Sequence, residues 1–238
     1  MIAPLVRKII YKLFPTWSVF LKGLVRFSAT YGYYRSIKEK RPVDIKGNPI
    51  PWYTYPSIEY LEQLDFSGKT IFEYSSGYGS IWWSGRCNQL ISVEHNPEWF
   101  QEVDKMKRDN HLYTLQEDEA AYINHLNKYA KTVDVVIIDG VCRSDCARKV
   151  LELVEKGFSF EMIIFDNSDW WPNTVKSFRE KTRFSQIDFH GMGPINAYSW
   201  TTSIFFPVVD KSNLVQKFNC SKNALLIKSD DDNFLDSK

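Results

Sequence analysis

"IFEYSSGYGSIWWSG", residues 71–85, decides how the rest of the chain is read. An apolar, strand-like run carries an acid, Glu73. Gly77 and Gly79 follow, and a helix-like segment then brings two adjacent tryptophans, Trp82 and Trp83. A strand, a Gly-x-Gly turn and a helix are what an open α/β sheet uses to bring backbone close to a ligand. A dinucleotide fingerprint needs a third glycine at position 82, where Trp82 would block the close helix–strand packing that glycine allows. Glu73, near the strand tip, would repel a pyrophosphate but can accept hydrogen bonds from an amino-acid ammonium group. The loop therefore favours a cofactor with a cationic end over a nicotinamide dinucleotide. The plain alternative is a tight turn with no ligand.

Outward from this stretch, short β-branched runs alternate with helical patterns. The strand candidates are residues 70–75, 90–94, 111–115, 133–139 and 161–166, separated by segments of helical spacing such as "PEWFQEVDKMK" and "CRSDCARKVLELVEK". Such alternation implies right-handed crossovers and a doubly wound, mostly parallel sheet. The pattern then changes. "FSQIDFHG" and "WTTSIFFPV" follow each other without a helix, so they should pair antiparallel. The Pro- and Gly-rich "RPVDIKGNPIPWYTYP" reads as a crossing segment. The expected organisation is an N-terminal helical cap with its crossing segment over 1–56, a main domain over 57–210 and an acidic, frayed extension over 211–238.

At the tip of the second strand, "SVEHN" places Glu94 seventeen residues beyond Gly77, where an acid can accept bonds from ribose hydroxyls. "FEYSSGYGS" followed by "SVEHN" resembles motifs I and II of the class I S-adenosylmethionine-dependent methyltransferases, over about residues 52–207. The resemblance implies a Rossmann-like sheet of seven strands with the last antiparallel, and S-adenosylmethionine as cofactor. It implies Glu73, Ser75, Gly77 and Gly79 near the methionine part, Glu94 on the ribose and Asp118 at the adenine. Ser75 departs from the pattern, which has glycine there. The plain reading of Asp118 is an acid at a helix N-terminus.

The fourth and fifth strands end "VVIIDG" and "MIIFDNSD", so Asp139, Asp166 and Asn167 project from adjacent tips. Two carboxylates and an amide oxygen are hard ligands suited to Mg²⁺. The trio resembles the metal site of catechol O-methyltransferase and its relatives, which implies Mg²⁺ assistance and a role for Asp139 in catalysis. The relatives carry a lysine where this chain has Cys142. The competing reading makes Asp139 an acid of the cofactor pocket and Asp166–Asn167 a helix cap. In the last hairpin, His190 is the one side chain able to shuttle a proton near neutral pH. Trp52, Tyr53, Tyr55, Trp170 and Trp171 could form an aromatic lid over a sulfonium.

The four cysteines lack paired spacing, and a formal charge of +1 gives no global drive toward nucleic acid. The "NPEW" at 96–99 does not follow the fourth strand, as an amino-group methyltransferase motif would. The expectation is a cytoplasmic enzyme that methylates a hydroxyl of a small molecule or glycan, with no nucleic-acid partner. Residues 1–41 hold nine Lys and Arg against one acid, Glu39, with apolar residues between. They read either as packed cap helices or as a peripheral contact with an anionic membrane. The alternatives to an enzyme are a non-catalytic binding protein on the same fold and a membrane-peripheral adaptor working through residues 1–41.

Overall fold

The computed structural model describes residues 14–207 and Lys222. The expected frayed ending and the first part of the basic segment therefore lie largely outside the described residues. Seven strands form one sheet: β1 (Thr70–Tyr74), β2 (Gln89–Glu94), β3 (His111–Leu115), β4 (Val135–Ile138), β5 (Met162–Asp166), β6 (Phe184–Met192) and β7 (Ser199–Pro207). Their order is β3-β2-β1-β4-β5-β7-β6, with β7 alone running against the direction of the other six. This is the doubly wound seven-stranded arrangement expected from the alternation of runs. The strand order reverses between β1 and β4, the place where such sheets leave a crevice at their carboxyl ends.

The central strands read as continuous apolar runs because both of their faces are covered. Alternation divides them. Phe72, Val136, Ile138, Ile163 and Phe165 pack on one face, against Tyr122, Cys146, Val150 and Phe178. Ile71, Val135, Ile137 and Ile164 pack on the other, against Ile58, Leu61, Phe66 and Trp83. The first face is supplied by α6 (Glu119–Asn124), α7 (Arg143–Glu155) and α8 (Pro172–Lys181), the second by α3 (Tyr55–Glu62) and α4 (Tyr78–Ser84). The remaining helices are α1 (Pro15–Tyr31), α2 (Tyr33–Glu39) and α5 (Pro97–Asp104).

The crossing segment packs into this core. The Thr54 amide donates to Thr202 Oγ1 at 3.1 Å, and the Thr54 hydroxyl donates to the Phe189 carbonyl at 3.0 Å. These bonds tie the segment to the β6–β7 hairpin. Helix α1 is attached through its final turn, where Tyr31 stacks on Tyr55 at 4.5 Å. Further back, Trp17, Val19, Phe20, Leu21, Leu24 and Val25 are all more than half exposed. Among the described residues no helix is long and apolar enough to cross a membrane.

Gly193, in the turn after β6, is fixed by close approach. A Cβ there would lie 2.2 Å from the Tyr53 carbonyl oxygen and 2.4 Å from the Trp200 ring. Backbone and a buried indole cannot both retreat in a close-packed interior. Gly193→Ala should therefore cost about 3 kcal/mol or prevent folding, as urea denaturation followed by tryptophan fluorescence would show. Gly68→Ala, with open space around its Cβ, serves as the silent control.

Candidate active site at the carboxyl ends of the strands

A cavity of about 580 Å³ lies over the tips of β1, β4 and β5. Its floor holds three carboxylates, Glu73, Asp139 and Asp166, and its walls carry Trp52, Trp99, Trp170 and Tyr198. The three carboxylates come from the ends of three neighbouring strands, where the sequence places them.

Glu73 is almost fully buried. Its Oε2 accepts from the Ser80 hydroxyl at 2.6 Å and the Ser92 hydroxyl at 2.8 Å. Ser80 Oγ in turn accepts the Gly77 amide at 2.9 Å, so the acid is wired to the glycine loop. Ser92 Oγ lies 2.8 Å from His111 Nε2; with the serine proton directed at Glu73, the imidazole is the donor. Burial pushes Glu73 up to about 8, against the partial relief of the two serine hydroxyls. An acid held this far above its ordinary range is poised to ionise when a cation arrives.

Ser75, where the family pattern has glycine, adopts φ of 92°. An L-residue there carries strain on the order of 1–3 kcal/mol. Lys40, Cys142, Asn167 and Ile195 are the other non-glycine residues of positive φ among those described. Lys40, Ser75 and Asn167 line the cavity, and Cys142 and Ile195 each precede a residue that does.

The metal expectation is not supported. Arg143 places its guanidinium among the three oxygens assigned to Mg²⁺. Its Nη2 lies 2.9 Å from Asp139 Oδ1, and its Nη1 donates to Asn167 Oδ1 at 2.6 Å and stands 4.0 Å from Asp166 Oδ2. Asp166 Oδ1 accepts from Trp200 Nε1 at 3.1 Å and from the Thr202 hydroxyl at 2.5 Å. The donor set does not fit a divalent ion while a fixed monovalent cation occupies its centre. Among the described residues no group of three or more His, Cys, Asp and Glu is arranged to hold a metal. Burial raises Asp139 to about 6, with Arg143 pulling the other way. Asp166 is raised well above its ordinary value by burial and by the neighbouring Asp139.

Three other expected site residues stand apart from this cavity. Glu94 is 1% exposed and is not among the lining residues. Its Oε1 accepts the amides of His95 and Asn96, and its Oε2 accepts the Ser76 hydroxyl at 2.7 Å. Trp99 braces the same loop, its indole donating to the Ser76 carbonyl at 2.8 Å. Asp118 caps α6, accepting the Ala121 amide at 2.8 Å, as the plain reading had it. His190 pairs with Thr201 at 2.7 Å and lines a different cavity, with Asp188 and Arg179. Thr201 lies between Trp200 and Thr202, which turn toward Asp166, so alternation sends Thr201 and His190 to the opposite face. Trp99 and the cationic Lys40 and Arg41, which also line the cavity, were missed. The signal for Trp99 was present: Asn96 caps the helix after β2, which puts an aromatic of its first turn beside the glycine loop.

No protein-family model matches the chain, and no curated protein does. Solved structures are similar in fold. They include a putative methyltransferase from Streptococcus mutans in complex with SAH, at 15% identity, covering 62% of this chain and 94% of that one, with a TM-score of 0.43. An rRNA methylase from Streptococcus thermophilus has 14% identity, coverage of 63% and 93%, and a TM-score of 0.43. The fibrillarin pre-rRNA processing protein from Methanococcus jannaschii has 14% identity, coverage of 65% and 76%, and a TM-score of 0.45. At these scores no residue role carries across. The expectation that excluded nucleic acid is nevertheless overturned: proteins named for rRNA and tRNA substrates stand among the structures this chain is similar to.

Glu73 makes the apo fold sensitive to pH in a defined direction. Its folded value, about 8, lies above the ordinary 4.5. The native state therefore holds a proton that the unfolded chain releases, so stability is full below the ordinary value and declines as pH rises toward 8. Glu73→Gln should match the parent near pH 4 and melt about 10 °C or more higher at pH 8.5. A variant that melts lower at pH 8.5 would show that burial does not raise the proton affinity of Glu73.

Proposed function

We propose that the chain is an S-adenosylmethionine-dependent methyltransferase acting on a hydroxyl group. The observation that carries this reading is Glu73, an almost fully buried carboxylate wired to the glycine loop and lining the cavity at the switch in strand order. A buried acid with elevated proton affinity, beside backbone that a ligand can approach, suits the ammonium end of an amino-acid-like cofactor. The cofactor would supply an electrophilic methyl group on a sulfonium. The exposed aromatic faces of Trp52, Trp99 and Trp170 suit that cation, each such contact contributing on the order of 1 kcal/mol.

Within this reading Ser75, Gly77 and Gly79 shape the cofactor loop and Glu73 holds the ammonium group. Asp139 takes the proton from the acceptor hydroxyl. It is the most exposed of the three floor carboxylates, with a quarter of its side chain accessible against 3% for Asp166. Arg143 holds Asp139 Oδ1 at 2.9 Å, which fixes the carboxylate's direction. Much of the acceleration would come from alignment of the two reactants in a confined site. Glu94 is assigned to the ribose in this reading, its Oε1 held by the His95 and Asn96 amides and its Oε2 by the Ser76 hydroxyl.

Calorimetry with S-adenosylmethionine tests the reading directly. Binding of an ammonium by Glu73 requires its carboxylate form, so at pH 7 binding should release about one proton, and affinity should rise with pH until about 8. Titration in buffers of different ionisation heat reads that proton. Glu73→Gln should weaken binding at least tenfold, and an unchanged affinity in the folded variant would overturn the assignment.

The base is tested by turnover. A carboxylate that must be ionised, with its value near 6, gives a rate that climbs through pH 6 and then levels. Asp139→Asn should retain cofactor binding while the rate falls about 10²-fold or more. A flat profile between pH 5 and 8 with the parent protein would place the base elsewhere.

A further inference from the structure

We propose that Arg143 is a built-in cation that takes the place of a divalent metal at the tips of β4 and β5, so that this site works without one. The evidence is how its guanidinium is engaged. Nε donates to the Gly140 carbonyl at 2.9 Å. Nη1 donates to the Asp166 carbonyl at 2.7 Å and to Asn167 Oδ1 at 2.6 Å. Nη2 donates to the Asp139 carbonyl at 3.0 Å and meets Asp139 Oδ1 at 2.9 Å. Four of an arginine's five N–H donors are in these hydrogen bonds, and the Asp139 carboxylate adds an ion pair.

The acceptors fall into two kinds. Three are main-chain carbonyls at the ends of β4 and β5, where the ladder stops and its oxygens need new partners. The other two are side-chain oxygens that would otherwise be free to ligate a cation. One side chain therefore closes the strand tips and occupies the ligands together. Trp171 lies beneath, with its ring centroid 5.4 Å from the guanidinium carbon, and only 15% of the Arg143 side chain is exposed. A divalent ion could enter only by displacing a buried guanidinium from four hydrogen bonds and an ion pair, or by sitting beside it against like charge. Guanidinium cannot lose its proton to relieve that repulsion.

Arg143 is thus a positioning residue whose removal should create what its presence forbids. Asp139, Asp166 and Asn167 would then face one another without a counter-charge. This inference concerns cation binding alone, so it can fail while the methyl-transfer reading stands, and the reverse.

The test is titration of the full chain with Mn²⁺, observed by electron paramagnetic resonance of the free ion. The parent protein should bind none up to millimolar concentration. Arg143→Ala, checked for folding by near-ultraviolet circular dichroism, should bind one ion at least tenfold more tightly than the parent. The double variant Arg143→Ala/Asp166→Asn should lose it again, and Arg143→Lys should bind no more than the parent. One-to-one binding by the parent that disappears in Asp166→Asn would overturn the proposal. So would a folded Arg143→Ala that gains no Mn²⁺. If Arg143→Ala does not fold, Arg143→Gln replaces it with the same two outcomes, and the parent titration still decides whether the native site takes a metal.

Discussion

Three carboxylates gathered at the ends of three neighbouring strands, with one guanidinium between two of them, set the terms for everything around the cavity. Glu73, Asp139 and Asp166 cannot all remain charged in a buried site without compensation. The chain answers in two ways. Asp139 and Asp166 share Arg143, and each keeps an elevated proton affinity. Among the described residues Glu73 has no cationic partner of its own; two serine hydroxyls support a single oxygen, and the acid stays protonated into the neutral range. The difference between these two solutions divides the cavity into a settled half at β4 and β5 and an unsettled half at β1.

The backbone follows the same division. Asn167 and Cys142 take left-handed conformations where β5 ends and where α7 begins, and these two turns bring Arg143 and Asn167 together. Ser75 takes positive φ at the end of β1, within reach of Gly140, where an added Cβ would lie 2.9 Å from that of Ser75. Strain of this kind persists only where surrounding structure over-determines it. Here the restraint is visible: the Ser75 amide is held by the Val93 carbonyl at 2.8 Å, and the Arg143 bonds lock the other two turns.

The fold was legible because it rests on repetition. Alternating apolar runs and helical spacing produce a doubly wound sheet, and two strands without a helix between them produce an antiparallel pair. Glu73, Asp139 and Asp166 were legible for a related reason, since each stands at or near the end of a run whose far end points into the crevice. What pattern could not supply was the partner of each oxygen. Arg143 directly follows Cys142 in the sequence, yet its role depends on a left-handed turn at Cys142 that no local preference announces. Glu94 met the spacing expected of a ribose ligand and is nonetheless occupied by the amides of its own loop.

His190 shows how a single-residue period separates a plausible acid–base group from the chemistry. Thr201 pairs with it, while Trp200 and Thr202 on either side turn to Asp166. Shifting by one residue along β7 exchanges the cavity for the opposite face of the sheet. The same alternation gives Asp166 its two donors, an indole and a hydroxyl from one strand, at 3.1 and 2.5 Å. Those donors occupy Oδ1, which leaves Oδ2 toward Arg143 at 4.0 Å, too far for a close pair. Asp166 is thus anchored by β7 and touched only weakly by the guanidinium, whereas Asp139 is held by it directly. The two acids look equivalent in sequence, each closing an apolar strand. Their neighbours make one a fixed part of the wall and leave the other as the accessible carboxylate of the floor.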